Sequence, residues 1–189
     1  MGDNSIRIRP AELADAEAVA RVQAVTWQAA YLGILPHEIL AAFGQAQGGA
    51  FWSRVLDNAP SESVLIAELE EQILGFVSSG PSREHIPGYD GEFYALYVVP
   101  EGQGCGIGKA LVAHAARSLV RQRWLGAAVW VLEDNHLGRQ FYERLDGQPL
   151  GLAKSLAYRG VEYPNIREMA YGWPDLRRAE WLVDEPDRR

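Results

Sequence analysis

The chain has 189 residues, of which 48% are hydrophobic and 23% are charged, and this composition is typical of one globular domain. The formal net charge of -7 argues against a nucleic acid or an anionic membrane surface as a partner bound by bulk electrostatics. Cys105 is the only cysteine, so an internal disulfide is excluded. Because the sequence contains neither a leader-like start nor a run of about 18 apolar residues, we expect a soluble, cytoplasmic protein with no membrane partner.

The first part of the chain predicts one strand followed by helices. The alternating segment "SIRIR" is typical of a strand, which Pro10 ends. An alanine-rich helix is expected over residues 16–30, with Asp15 as its N-cap. Pro36 in "ILPHEILAAF" indicates a second helix start, and a third helix is expected over residues 51–56.

The rest of the chain alternates between strand and helix patterns. Residues 63–68 and 72–79 flank a Glu-Glu turn and predict a hairpin, and the next strand is "GEFYALYVV". A helix is expected over residues 106–122, followed by the buried strand "AAVWVL" and the helix "NHLGRQFYERLDG". The segments "LAKSLAY" and "VEYPNIREMAYGW" close the chain as two strands. This order predicts a single-domain α/β fold whose mixed central sheet has about six to seven strands and is flanked by helices.

The glycine-rich segment "GQGCGIG" stands between a predicted strand and a predicted helix, where exposed N–H groups can bind a phosphate. The P-loop pattern G-x-x-x-x-G-K-[S/T] fails, because Gln103 takes the place of its first glycine and Ala110 that of its hydroxyl. The dinucleotide pattern G-x-G-x-x-G also fails, because the position of its third glycine holds Ile107, Lys109 or Leu111 in the three possible frames. The segment could also be a tight turn between strand and helix that binds nothing.

A third loop pattern, Q/R-x-x-G-x-G/A, matches the sequence. It is filled by Gln103, Gly104, Cys105, Gly106, Ile107 and Gly108. The match lies within "LYVVPEGQGCGIGKAL", and a second segment, "VLEDNHLGRQFYERLDGQPLG", fits the pattern N-x-x-A-x-x-F-Y with Gly138 in place of alanine. On these residues the chain resembles the GNAT superfamily of acyl-CoA-dependent N-acyltransferases.

The resemblance implies a GNAT domain over residues 1–175 and a C-terminal tail over residues 176–189. It also implies an N-acetyltransferase that moves an acetyl group from acetyl-CoA directly to a primary amine of a small molecule or peptide. Two alternatives stay open, a non-catalytic acyl-CoA sensor of the same fold and a transferase of a longer acyl group. The tail could dock on a second copy, which would give a homodimer, or fray.

For coenzyme A, the resemblance places the pyrophosphate on the backbone amides of the matched loop. Successive amides suit a pyrophosphate because glycine lets the backbone approach it closely. Gly104 and Cys105 occupy positions that are often basic in the family, while Lys109 lies where it could reach a phosphate. Cys105 is either a nucleophile or a small residue tolerated in the turn, and its sequence neighbourhood has no Cys-His motif.

The same resemblance places the pantetheine arm along the preceding strand, at Leu96, Tyr97 and Val98. A backbone N–H near Val98 would polarise the thioester carbonyl if this strand splays from its neighbour. Asn135 would bond the pantetheine amides, or serve only as a helix N-cap.

Two residues are implied to carry proton transfer. Tyr142 matches the family tyrosine that protonates the leaving thiolate, and a phenol of pKa near 10 suits a thiol of pKa near 8.5. The alternative is one more core aromatic beside Phe141. Glu92 is the candidate base for the amine, directly or through water, or an ordinary solvated glutamate at a strand end. His85 and His37 are weaker candidates for the base.

The acceptor pocket is implied near the first helices. Trp27 and Tyr31 lie four residues apart on one helix face and form either a wall of this pocket or part of the core. Glu92 would also face the acceptor. Acidic residues near these segments favour a cationic amine: Glu38, Glu84, Asp90 and Glu92. No His/Cys/Asp/Glu group has metal-ligand spacing, so we expect no metal.

Overall fold

The computed structural model describes residues 5–42, 45–58, 61–158 and 160–182. Seven strands lie within these residues: β1 Arg7–Pro10, β2 Ser63–Leu69, β3 Gln72–Ile86, β4 Tyr89–Val98, β5 Ala127–Leu132, β6 Gln148–Tyr158 and β7 Val161–Trp173. The same residues contain five α-helices: α1 Ala16–Tyr31, α2 His37–Ala42, α3 Gln45–Asn58, α4 Ile107–Arg121 and α5 His136–Arg144. The order of elements predicted from the sequence is confirmed.

All seven strands form one mixed sheet in the order β1-β2-β3-β4-β5-β7-β6. Only the β4–β5 pair is parallel among these strands, and the others pair antiparallel. Helix α4 packs its buried face, which includes Leu111 and Leu119, on one side of the sheet. Helices α1 and α3 cover the other side, where Val19 and Trp52 join a second core around Phe76. The predicted α/β fold with a central sheet flanked by helices is therefore confirmed.

Several predicted elements are shorter than the observed ones, most of all β3 and α3. Strand β3 continues to Ile86, although the sequence pattern ends at residue 79 before a Gly-Pro pair. It continues because Pro81 still pairs with Gly91 of β4, in an irregular part of the register. Helix α3 begins at Gln45, six positions before the predicted start.

The predicted capping role of the Asp15 side chain is wrong. Asp15 does occupy the N-cap position of α1, but its side chain makes no cap hydrogen bond. Its carboxylate instead accepts two bonds from the Arg9 guanidinium, at 2.7 and 3.0 Å, and Arg9 also donates to Glu68 at 2.6 Å. The Arg9 hydrogen bonds lower the pKa of Asp15 and tie β1 to the start of α1.

The described part of the C-terminal tail, residues 176–182, packs on the domain. Leu176 is fully buried and Trp181 is 6% exposed, both in the core beside α4. The indole N–H of Trp181 donates to the Leu145 carbonyl at 2.7 Å, and the indole of Trp173 donates to the same oxygen at 2.6 Å. Residues 183–189 lie outside the described residues, and the predicted boundary at residue 175 stays a prediction.

Candidate active site

The site begins where strands β4 and β5 part. Their parallel pairing covers three residue pairs and stops at Phe93 and Val129, although β4 runs on to Val98 and β5 to Leu132. On the other side of β4, the register with β3 skips Tyr94, which is an extra residue in β4. A bulge of this kind bends its strand, and here it coincides with the end of the β4–β5 pairing. The splay that the pantetheine prediction requires is therefore present.

The backbone of β4 presents alternate residues to this gap. The Val99 N–H donates to the Leu74 carbonyl on β3 at 2.9 Å. Because the backbone N–H and C=O groups of successive residues point to opposite sides of a strand, those of Tyr97 also face β3. Leu96 and Val98 consequently direct their N–H and C=O groups into the gap. The Val98 carbonyl accepts a bond from the Gln103 side chain at 2.9 Å, which ties the glycine loop to the gap.

The glycine loop leads from the end of β4 to the start of α4. Gly104 and Gly106 have φ angles of 77° and 84°, in the left-handed region that side chains disfavour. A Cβ at either position would meet nothing within 4 Å, so the glycines are required for their conformation and the space outside them is open. Ile107 is buried and starts α4, while residues 103–106 are exposed. An exposed turn with free space beside a helix N-terminus fits a pyrophosphate.

The remaining loop residues differ in what they contact. Gly108 lies against Phe141 of α5, since a Cβ there would come within 3.1 Å of that ring. The thiol of Cys105 is exposed and lies 3.7 Å from the Gln103 carbonyl oxygen. Lys109 is exposed on the first turn of α4.

Asn135 lies across the gap from β4, and it caps α5. Its Oδ1 accepts a bond from the Gly138 N–H at 2.9 Å, which confirms the N-cap role. Gly138 packs directly against this side chain, since a Cβ at Gly138 would lie 2.6 Å from Asn135 Nδ2. Asn135 also lies near Tyr31 of α1, and its polar side chain offsets part of the rise that burial causes in the pKa of the Tyr31 phenol.

Three tyrosines from different elements surround the same space. Tyr142 of α5 is 8% exposed and packs edge-to-face on Phe141. The Tyr31 phenol acts electrostatically on both Tyr142 and Tyr97 of β4. Burial raises the pKa of all three phenols, that of Tyr97 well above its ordinary value. These hydroxyls therefore remain protonated at neutral pH.

Trp27 joins this aromatic group. Its ring centroid lies 5.2 Å from that of Tyr31 and 6.3 Å from that of Tyr97, with edge-on geometry in both pairs. Trp27 and Tyr31 also pack against a small core that includes Leu35 and Leu132. The core alternative is therefore confirmed, while a role in the wall of an acceptor pocket stays a prediction.

Glu92 lies on β4 one residue before the β4–β5 pairing ends. Its side chain is buried, at 7% exposure, and Oε2 accepts a bond from the Arg83 N–H at 2.8 Å. Burial raises the pKa of Glu92, although the Arg83 bond opposes part of this shift. The alternative of an ordinary solvated glutamate is therefore wrong. The other candidate bases, His37 and His85, are exposed.

Three residues on the same face of the sheet were not among the sequence candidates. Trp130 of β5 lies under the ammonium of Lys154, with 4.0 Å between Nζ and the ring centroid. Lys154 is the register partner of Glu168 across the β6–β7 pair. Burial raises the pKa of Glu168, whose charge interacts with Lys154 and Glu92. Nothing local in the sequence marks these residues, because strand order alone brings them together.

The described residues contain neither a membrane-spanning helix nor a metal-binding group of side chains. No helix there combines the length and apolar character needed to cross a bilayer. Within the same residues, no group of three or more His, Cys, Asp or Glu side chains is placed to hold a metal ion.

A parted parallel strand pair with a glycine turn at its mouth is the arrangement that the resemblance to the GNAT superfamily implies, and comparisons with known proteins agree. The sequence profile of the Acetyltransferase (GNAT) family matches residues 27–147. YuaI of Bacillus subtilis, named an uncharacterized N-acetyltransferase, is 32% identical over 181 residues, which are 95% of this chain and 99% of that protein. A probable N-acetyltransferase of Mycobacterium tuberculosis is 30% identical over 177 residues, 90% of this chain and 95% of that protein.

A solved structure shows the same fold. The PaiA N-acetyltransferase from Thermoplasma acidophilum, crystallised in complex with coenzyme A, superposes with a TM-score of 0.62 at 23% identity. The alignment covers 87% of this chain and 98% of that one. The chain belongs to the GNAT family and is an acyl-CoA-dependent acetyltransferase.

Replacing Glu92 with glutamine tests the burial of this carboxyl. Because the folded state raises its pKa, the ionised carboxylate opposes folding once the pH exceeds the ordinary value of about 4.5. The Glu92→Gln protein should therefore be at least as stable as the wild type at neutral pH, and its relative stability should grow as the pH rises from about 4 towards neutrality. Urea unfolding across this range measures the difference in the free energy of unfolding. A variant that becomes less stable relative to the wild type as the pH rises contradicts the assignment.

Proposed function

We propose that this acetyltransferase moves an acetyl group from acetyl-CoA directly to a primary amine of a small molecule or peptide. The observation that carries the proposal is the gap between β4 and β5. Its edges bring together the gap-facing amides of Leu96 and Val98, the glycine loop and the buried phenol of Tyr142. This arrangement provides a binding groove and a proton donor in one place.

Binding of coenzyme A is assigned to backbone groups. In the proposal, the amides of residues 104–109 hold the pyrophosphate at the start of α4, where the helix dipole favours an anion. The Gln103 N–H already donates to the Pro100 carbonyl. Leu96 and Val98 pair with the pantetheine amides as a neighbouring strand would, and Asn135 bonds them from the other side. The bound group supplies an activated thioester. An N–H of β4 then donates to the carbonyl oxygen that gains charge during transfer.

Proton transfer is assigned to Glu92 and Tyr142. Glu92 accepts a proton from the acceptor ammonium, directly or through water, and a raised pKa brings this base closer to the working pH. A bond then forms between the amine nitrogen and the acyl carbon while the carbon–sulfur bond breaks. Tyr142, which burial keeps protonated, gives its proton to the departing sulfur. The nitrogen loses its second proton, directly or through water, to the Tyr142 oxygen once that oxygen has protonated the sulfur, and Glu92 releases its own proton to solvent.

The acceptor is assigned to the face of the sheet that carries Glu92. Trp27, Tyr31 and Tyr97 form an aromatic wall at this end of the gap. Aromatic faces and a carboxylate together suit a cationic amine. Glu92 thus serves both as a base and as a contact for the acceptor.

The Tyr142→Phe variant should lower kcat about a hundredfold, because removal of a general acid forfeits its proton transfer. Its dissociation constant for coenzyme A should stay within about twofold of the wild type, since the proposed contacts are backbone groups. The measurements are thiol release with an amine panel and calorimetric titration with coenzyme A. Tyr171→Phe is the matched control, because its hydroxyl donates to Glu143 and lies outside the proposed machinery. Lost coenzyme A binding with unchanged kcat would show that Tyr142 is structural.

The Gly106→Ala variant should weaken coenzyme A binding about tenfold, because a side chain disfavours the positive φ that turns the loop amides outward. Gly88→Ala is the control. Gly88 has a φ of 85° and open space around it, but it lies in the β3–β4 turn. Both variants should lose similar stability in thermal unfolding, while only the first should lose affinity in calorimetric titration. Equal affinities would count against the loop assignment.

A further inference from the structure

An ammonium group of the protein itself sits on the acceptor face of the sheet. Lys154 of β6 lies over the Trp130 ring, 4.0 Å from its centroid, and forms an ion pair with Glu84 of β3. Strands β4, β5 and β7 separate β3 from β6 in the sheet. The pair therefore reaches across the sheet face, above Trp130.

Three carboxylates share this single ammonium. Glu168 is the direct register partner of Lys154, so both side chains lie on one face. Glu92 pairs with Ala128, two residues before Trp130 on β5. The positive charge of Lys154 lowers the pKa of Glu92 and Glu168, whereas the negative charge of Glu84 raises the pKa of both. The cluster consequently keeps an excess of negative charge even with Lys154 in place.

Arg83 is a second cation that acts on this cluster. Arg83 acts favourably on Glu92, but its guanidinium is stacked 3.5 Å from the Tyr94 ring centroid and paired with Glu62 at 3.3 Å. The ion pair of Lys154 with Glu84 lies at an accessible position. The Lys154 side chain is 33% exposed and that of Glu84 is 47% exposed, and ion pairs this accessible are weak. Another cation can therefore take the position of Lys154.

The position adjoins the gap. Strands β4 and β5 stop pairing at Phe93 and Val129, which immediately follow Glu92 and precede Trp130. A molecule whose amine lies at Glu92 can thus extend over Trp130 without leaving the acceptor face. Glu92 at one end of this path is acidic and Trp130 at the other is aromatic, and both suit a cation.

We propose that Lys154 occupies the place of a second cationic group of the acceptor, and that the enzyme acts on small dicationic amines. The reacting amine lies at Glu92, and the other ammonium displaces that of Lys154 to bind the Trp130 face between Glu84 and Glu168. This inference rests on the proposed function. It makes Trp130, Glu168 and Lys154 determinants of acceptor specificity, with Lys154 as an internal competitor.

The test compares 1,4-diaminobutane with 1-aminobutane, a matched amine without the second cation. In the wild type, kcat/KM for the diamine should exceed that for the monoamine about tenfold. Lys154→Met keeps the length of the side chain but removes the competing charge, so it should raise the diamine kcat/KM about fivefold. The monoamine value should stay within about twofold.

Glu168→Gln provides the opposite change. It keeps the size of the side chain and removes one carboxylate, so the diamine kcat/KM should fall about tenfold with little effect on the monoamine. Unfolding curves check that both variants fold. If Lys154→Met lowers stability and leaves the diamine-to-monoamine ratio unchanged, Lys154 is a structural strap and the inference is overturned.

A binding measurement separates this inference from the proposed function. Calorimetric titration of 1,4-diaminobutane into the protein saturated with coenzyme A involves no turnover. Tighter diamine binding by Lys154→Met supports the cation site even if no amine is acetylated, an outcome that would overturn only the proposed function. Acetylation of both amines at equal rates, with no diamine binding preference, overturns the inference and leaves the proposed function standing.

Discussion

The parting of β4 from β5 is the constraint on which the site depends. A parallel pair normally satisfies the backbone groups on both strands, but here pairing stops after three residue pairs. The extra residue Tyr94 bends β4 at this point, while pairing with β3 continues through Leu96 and Val98. A regular sheet thus holds one strand rigidly while presenting its outward amides to a ligand. The glycine loop then turns the chain so that α4 starts at the mouth of the gap.

Burial of polar groups around the gap has a chemical consequence. A phenol or carboxyl group removed from water favours its neutral form, which explains the raised pKa values of Tyr142 and Glu92. In the proposed function, the same desolvation keeps the proton donor protonated and brings the base closer to neutral pH. The two groups come from opposite sides of the gap, since Tyr142 lies on α5 and Glu92 on β4.

The order of elements could be predicted because each has a local pattern bounded by glycine or proline. The loop at residues 103–108 and the helix cap at Asn135 could also be predicted from the sequence, because each depends on a short run of residues. The bulge at Tyr94 was not, because it exists only in the register between β3 and β4. The local pattern also predicted the wrong end for β3. The strand continues past Pro81 because this residue still pairs with β4.

The cluster around Lys154 shows the same limit at longer range. Glu84 and Lys154 are 70 residues apart, and they meet across the sheet face although β4, β5 and β7 lie between their strands. Likewise, the burial of Glu92 follows from the hairpin extension that brings the Arg83 N–H to it. Residue types suggested an acidic acceptor region, but the tertiary fold decides which of those carboxylates share one face.

The central claim is that the gap-facing amides of β4 and the loop amides bind coenzyme A. Hydrogen exchange followed amide by amide by NMR, with and without coenzyme A, tests it most directly. The account predicts that exchange at Leu96, Val98 and residues 104–109 slows at least about tenfold on binding. The Val99 amide, already bonded to Leu74 on β3, should not change. Protection that appears elsewhere, with Leu96 and Val98 exchanging as before, would contradict the account.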